Sequence, residues 1–184
     1  MKGNRAVLTA VVVLVVIIVG WWLFGRSDIA SRVDMIANFE AVTKRPKPEL
    51  FSIADATLGG VTKKAIAIQP LAGSRMIWKV RIPDDGWLWV SVGMREEAWE
   101  KEGDGVKFLV GVSDGRAFEE LFAQHLHPAA NQGDRKWVDV RVDLSAYAGE
   151  EVDVIFNTYA SVPGAPHDER NDLALWGNPE IVIR

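Results

Sequence analysis

From Ala6 to Phe24 the chain carries no charged side chain, and Thr9 is the only polar one before the closing Trp21-Trp22-Leu23-Phe24. A helix rises about 1.5 Å per residue, so crossing a hydrocarbon core of about 30 Å takes roughly 20 such residues. The run has that length, and Trp21 and Trp22 are side chains that favour the membrane-water interface. A cleaved secretory signal has a shorter apolar stretch, about 7–15 residues, followed by small residues at a cleavage site. The nearest such spot, Asp28-Ile29-Ala30, begins with an acid. The expectation is an uncleaved anchor: residues 1–25 form a cytoplasmic stub and a transmembrane helix, with Val7, Val11, Leu14, Ile18, Trp21 and Trp22 against the bilayer.

Charge sets the expected orientation. Lys2 and Arg5 precede the run without an acid between them, whereas Arg26 and Arg32 beyond it alternate with Asp28 and Asp34. The positive-inside tendency places the N-terminus in the cytoplasm and the remainder on the periplasmic or extracellular side of the cytoplasmic membrane. A formal net charge of −4 argues against nucleic acid, whose binding needs concentrated Lys and Arg. With no cysteine, disulfides, thiol catalysis and cysteine-ligated metals are excluded, and the domain must be held by packing alone.

Residues 26–49 read as a juxtamembrane helix followed by a Pro-rich linker. Ser27 can cap a helix, and Asp28 suits its first turn. Ile29, Val33 and Ile36 recur at helical spacing, giving one apolar stripe over about a dozen residues, 28–39. That stripe either packs under the domain or on the membrane surface, or it contacts a neighbouring subunit. Lys44-Arg45-Pro46-Lys47-Pro48 reads as extended, because each proline biases its predecessor away from helix.

After Glu49 the apolar period changes to two. Met76, Trp78, Val80 and Ile82 form one set, Leu88, Val90 and Val92 a second, and Val106, Phe108, Val110 and Val112 a third. Val138, Val140, Val142 and Leu144 form a fourth, and Val152, Val154, Phe156 and Thr158 a fifth. Turn signals separate them: Pro83-Asp84-Asp85-Gly86, Gly103-Asp104-Gly105, Ser113-Asp114-Gly115 and Ala148-Gly149. Outer strands are expected at Leu50–Ile53, Lys64–Ile68, Phe118–His125 and Ile181–Ile183. Residues 50–184 are therefore predicted to be a mainly β, antiparallel sandwich.

Three stretches carry a family resemblance. They are Lys101-Glu102-Gly103-Asp104-Gly105-Val106-Lys107-Phe108, the segment from Trp137 to Gly149, and Asp172-Leu173-Ala174-Leu175-Trp176-Gly177-Asn178-Pro179-Glu180-Ile181. They resemble the galactose-binding-like jelly rolls found in carbohydrate-binding modules and in accessory domains of bacterial surface and membrane proteins. The resemblance implies a jelly-roll sandwich and leaves the activity open, because that fold hosts many functions. Some sugar-binding members of this group hold a structural calcium near their termini. Asp55, Asp172 and Glu180 are conceivable oxygen ligands here, but no spaced acidic loop supports them, and no metal or cofactor is assigned.

Trp87 and Trp89 lie two apart on one strand, opposite the aliphatic set of Leu88, Val90 and Val92. If that set is core, two indoles project outward side by side. They are then covered by helix 28–39 or a loop, or contact another protein, or stack on a glycan. Trp99 reads as a loop residue over a sheet edge, and Trp78, Trp137 and Trp176 as scaffold. His125 and His127 could share a face, but they lack a placed third metal ligand, and Pro128 follows them. The loop from Ser161 to Asp172 brings His167, Asp168 and Glu169 together without a nucleophile or oxyanion donor. With no phosphate loop, haem motif or acid pair placed for catalysis, the chain reads as a non-enzyme. The leading expectation is an accessory subunit stabilising a larger membrane complex, respiratory or photosynthetic, with other membrane subunits as partners through Trp87, Trp89, Ile29, Val33 and Ile36. The alternative is a membrane-tethered carbohydrate-binding module that uses the same tryptophans on a glycan.

Overall fold

The structure is a computed structural model, and it describes residues 32–160 and 168–183. The predicted anchor with its lipid-facing residues, Ile29, and the 161–167 part of the acidic loop lie outside the described residues. Among those described, no helix is long and apolar enough to cross a membrane.

Eleven strands are described: β1 Arg32–Asp34, β2 Thr43–Arg45, β3 Phe51–Leu58, β4 Val61–Ile68, β5 Ser74–Arg81, β6 Gly86–Met94, β7 Val106–Ser113, β8 Phe118–Leu126, β9 Val138–Asp143, β10 Glu151–Tyr159 and β11 Ala174–Ile183. The first sheet runs β3-β4-β11-β6-β9, with β1 also on β11, and the second runs β2-β5-β10-β7-β8. All their pairings are antiparallel. Mainly β structure in a sandwich-like arrangement is what the alternating sets predict.

Those sets do supply the core. Met76, Trp78, Leu88, Val90, Val92, Val106, Phe108, Val110, Val140, Val154 and Phe156 are buried in one cluster. At its centre Phe156 stacks on Trp176 with ring centroids 4.4 Å apart, and Phe108 meets Trp176 edge-on at 5.2 Å. Both core indoles satisfy their N–H groups: Trp176 donates to Thr158 Oγ1 at 2.9 Å and Trp78 to the Met35 carbonyl at 3.1 Å. A buried indole N–H without a partner would cost about 1–3 kcal/mol, so these bonds let large apolar rings carry a polar atom inside.

The 28–39 helix is not formed over its described part. Arg32–Asp34 is a strand, Met35–Asn38 a turn, and Phe39–Ala41 a short 3-10 helix. The reason lies in β11. It pairs with β6 along one edge over both its halves, whereas β4 covers the other edge only from Ala174 to Gly177. The remaining edge at Glu180–Val182 is satisfied by Asp34–Arg32. Ladder bonds to a waiting strand outweigh a short helix that would be marginal on its own. The Asp34 carboxylate then accepts the Ile36 and Ala37 amides at 2.9 and 3.1 Å and turns the chain inward.

The expected linker is likewise built in. Thr43–Arg45 pairs with β5, the Arg45–Pro46 peptide is cis, and Pro48–Leu50 is a 3-10 turn. Met35, Ile36, Phe39 and Val42 sit in the common core. The described sandwich therefore takes in residues from Arg32 onward, not only those from position 50. Phe39 is 6% exposed, and its replacement by Ala is expected to lower unfolding free energy by about 3–5 kcal/mol in urea denaturation. A loss below about 1 kcal/mol, as at an ordinary surface position, would show that this segment lies outside the core.

Candidate functional site

The outward face of the first sheet is divided in two. At one end Ala56, Leu58, Ala65, Ala67 and Leu175 form a second apolar cluster closed by Trp137, with Trp99 against it. Two glycines make room for this cluster: a Cβ on Gly177 would stand 2.9 Å from the Trp137 ring, and one on Gly93 would stand 2.3 Å from Leu58. The Trp137 N–H donates to the Val61 carbonyl at 2.9 Å, and Trp99 donates to the Met94 carbonyl at 2.8 Å. Trp137 is thus scaffold, as its sequence context suggests, and Trp99, expected as a loop residue over a sheet edge, packs partly buried against the same cluster.

Beyond Trp137 the same face opens. Cross-strand registry places Glu180, Trp89 and Arg141 in one row and Gly177, Ser91 and Asp139 in the next. Trp89 is 39% exposed, and the Arg141 guanidinium carbon lies 4.9 Å from its ring centroid, a cation-π contact. Trp87, one row further, is half-buried and opposite Asp143 and Val182. Projection of both indoles away from the aliphatic core follows the period-two reading.

A compact polar triad completes the floor. The Lys63 ammonium donates to Ser91 Oγ at 2.6 Å and to Asp139 Oδ1 at 2.7 Å, and the Ser91 hydroxyl bonds the same oxygen at 2.7 Å. The ammonium also lies 5.7 Å from the Trp137 ring. Hydrogen bonds from Lys63, then Ser91, hold the Asp139 carboxyl below its ordinary value of 3.8. The ladder is irregular between Gly177 and Glu180, and Asn178 there takes φ +43° and is exposed. The result is a groove of about 270 Å³ lined by Lys63, Trp89, Ser91, Asp139, Arg141, Asn178 and Glu180 among others. It offers an aromatic surface beside donors and acceptors already held in place by one another, the arrangement suited to a polyhydroxylated ligand with an apolar ring face.

The other predicted contact residues are not in this groove. Ile36 is 7% exposed and Val33 packs partly buried on the same core, so both are used inside the domain. His125 and His127 have ring centroids 6.0 Å apart, and His125 Nε2 bonds the Asp104 carbonyl. Asp55, Asp172 and Glu180 do not converge: Asp55 is exposed on β3, Glu180 is ion-paired with Arg32, and Asp172 is buried before β11. Among the described residues no group of three or more His, Asp or Glu side chains is placed to hold a metal. Sequence reasoning found Trp89 but missed Lys63, Ser91, Asp139, Arg141 and Asn178. The outward positions of Asp139 and Arg141 are legible from their alternation with Val138, Val140 and Val142. Lys63 and Asn178 join them only through a sheet order and a bulge that no local pattern announces.

No family model matches the chain. An uncharacterized protein of Archaeoglobus fulgidus is 43% identical over 105 residues, 56% of this chain and 25% of that protein. The chain thus spans about a quarter of the length of the curated relative it matches. Among solved structures, TmCBM61 in complex with β-1,4-galactotriose aligns with a TM-score of 0.51 at 12% identity, over 82% of this chain and 94% of that one. The CBM51-2 and INT domains of Clostridium perfringens ZmpB give 0.52 at 17% identity, over 77% of this chain and 28% of theirs. The tandem CBM51 modules of Sp3GH98 from Streptococcus pneumoniae give 0.50 at 11%, over 84% and 47%. What is shared is the fold: a β-sandwich of the carbohydrate-binding-module kind.

Replacing Lys63 with Met is expected to raise the Asp139 pKa toward 3.8, read by carbon NMR titration of its carboxyl; an unmoved titration would contradict the triad. Because the folded pKa is depressed, the stabilisation is present above pH 3.8 and is lost as pH falls through the lowered value. Asp139 is 73% exposed, so solvent screening keeps that contribution small, within about 1 kcal/mol.

Proposed function

We propose that this domain is a non-catalytic carbohydrate-binding module of the jelly-roll type, which holds a glycan in the groove around Trp89. The supporting observation is that the exposed Trp89 indole lies beside the ordered Lys63-Ser91-Asp139 triad, on a fold shared with carbohydrate-binding modules. In this reading a sugar ring packs its apolar C–H face on the free part of the Trp89 surface, where stacking replaces poorly hydrated area on both partners. Its hydroxyls bond Arg141 and Asn178 at one side and the triad at the other. Neutral saccharides suit the site, because acidic and basic side chains are balanced across it.

The apolar run from Ala6 to Phe24 supports the further proposal that the domain is tethered to the cytoplasmic membrane and displayed on its outer side. The reading as a structural subunit of a membrane complex draws less support, because Val33 and Ile36, two of its expected contacts, are engaged within the domain.

The experiment is a glycan array probed with the full chain in mild detergent, beginning with β-linked galactose and N-acetylglucosamine oligosaccharides. These are suggested by the galactotriose bound to TmCBM61 and the GlcNAc bound to CBM51-2. Trp89→Ala is expected to weaken retention at least about tenfold, in line with the loss of one well-used aromatic contact, while the melting temperature stays close to that of the parent. A chain that retains no glycan, or that binds equally well without Trp89, contradicts the proposal.

A further inference from the structure

The outer face of the second sheet has a different chemistry at its β2 edge. β2 pairs with β5 so that Arg45 stands directly opposite Arg75, and β5 pairs with β10 so that Arg75 stands opposite Asn157. Arg75 alternates with the core residues Met76 and Trp78, which puts its row on the outside of the sandwich. Both arginines are exposed. Like charges placed directly opposite in an antiparallel pair destabilise it.

The chain holds more acids than bases, 25 against 21, yet neither arginine has an ion-pair partner among the described residues. Their row runs Arg45, Arg75, Asn157, Leu109 and Ala123, and the next holds Tyr159, Lys107 and His125, so neither supplies an acid. Arg75 is nonetheless held in place. Its Nε–H donates at 2.7 Å to Oδ1 of Asn157, a side chain only 3% exposed. That bond uses one of the five guanidinium N–H groups and leaves both terminal amino groups for a ligand. Close by, the half-buried Tyr159 ring lies against Gly73, where a Cβ would stand 3.3 Å from it. The result is a groove of about 490 Å³ lined by Arg45, Pro46, Gly73, Arg75, Asn157 and Tyr159.

We propose that this groove binds a phosphate monoester carried on a sugar ring, with the phosphate bridging Arg45 and Arg75. Charge selects the group. Two guanidiniums, both permanently charged, face a ligand that brings a charge of about −1.5 to −2 at pH 7 and three acceptor oxygens. A carboxylate would balance only one of them. The planar guanidinium fork also matches phosphate oxygens in pairs. The Tyr159 ring offers an apolar surface to the C–H face of the sugar. Such a ligand converts the repulsion between β2 and β5 into a shared attraction. The site lies on the opposite sheet from the Trp89 groove and does not depend on glycan binding there.

The test is isothermal titration calorimetry of the full chain in mild detergent and phosphate-free buffer, with glucose 6-phosphate and glucuronate as titrants. Glucose 6-phosphate is expected to bind at least about tenfold more tightly than glucuronate, because it carries the larger charge. Arg45→Gln, at an exposed edge, and Arg75→Gln are each expected to weaken its binding at least about tenfold. Lys79→Gln removes the same charge from the same face of β5, where Lys79 is paired with Glu151 at 3.8 Å. It is expected to leave the affinity within about twofold. No binding of glucose 6-phosphate overturns the proposal, and so does an equal affinity for glucuronate. Binding that survives both arginine variants overturns it as well, because the ligand then sits elsewhere. Equal weakening by all three variants also overturns it, as a diffuse attraction to basic surface.

Discussion

The hydrogen-bonding demand of β11 organises this domain. Ten residues of backbone from Ala174 to Ile183 run through the middle of a sheet, and both edges must be satisfied. β6 serves one edge along both halves, while β4 and then β1 divide the other between them. That division draws the chain after Arg32 out of any helix and into the sandwich, bringing Met35, Ile36, Phe39 and Val42 into the core. The same strand carries Trp176 inward to stack on Phe156 and meet Phe108 edge-on. Without this pairing neither the core nor the outer face would have its present form.

The groove is a consequence of that strand's irregularity. A regular ladder would continue the alternation of β11 past Gly177. The bulge instead puts Asn178 outward and re-enters registry with Glu180 opposite Trp89. One side of the outer face is sealed by Trp137 over Gly177, where a Cβ would stand 2.9 Å from the indole. The other side is left open with an indole, a guanidinium and the Lys63-Ser91-Asp139 triad. An open polar face thus adjoins a closed apolar one: Trp137 is buried over the sheet, whereas Trp89 stays 39% exposed.

Much of the fold can be read directly from the chain. Period-two alternation located the core-facing positions of β5, β6, β7, β9 and β10, and the intervening Gly, Asp and Pro clusters located their turns. Strand lengths were less legible. β11 was expected from Ile181 but begins at Ala174, because Gly177, Asn178 and Pro179 look like a turn and are in fact a bulge within a paired strand. The stretch of Val33 and Ile36 fits a helical stripe and equally a strand followed by a turn, and only the free edge of β11 decides between them. At the candidate site Trp89 could be found from its face alone. The residues that surround it come from β4, β9 and the bulge, far apart in sequence, and their meeting depends on strand order rather than on spacing.

The most direct test of the binding account follows the indole N–H signals of the domain by NMR while β-1,4-galactotriose is added, with GlcNAc oligosaccharides in parallel. The account predicts that the Trp89 signal moves with ligand while those of Trp78, Trp137 and Trp176, bonded inside the scaffold, stay in place. Shifts centred on scaffold indoles, or no shift at any saccharide on a panel that includes charged glycans, would contradict it.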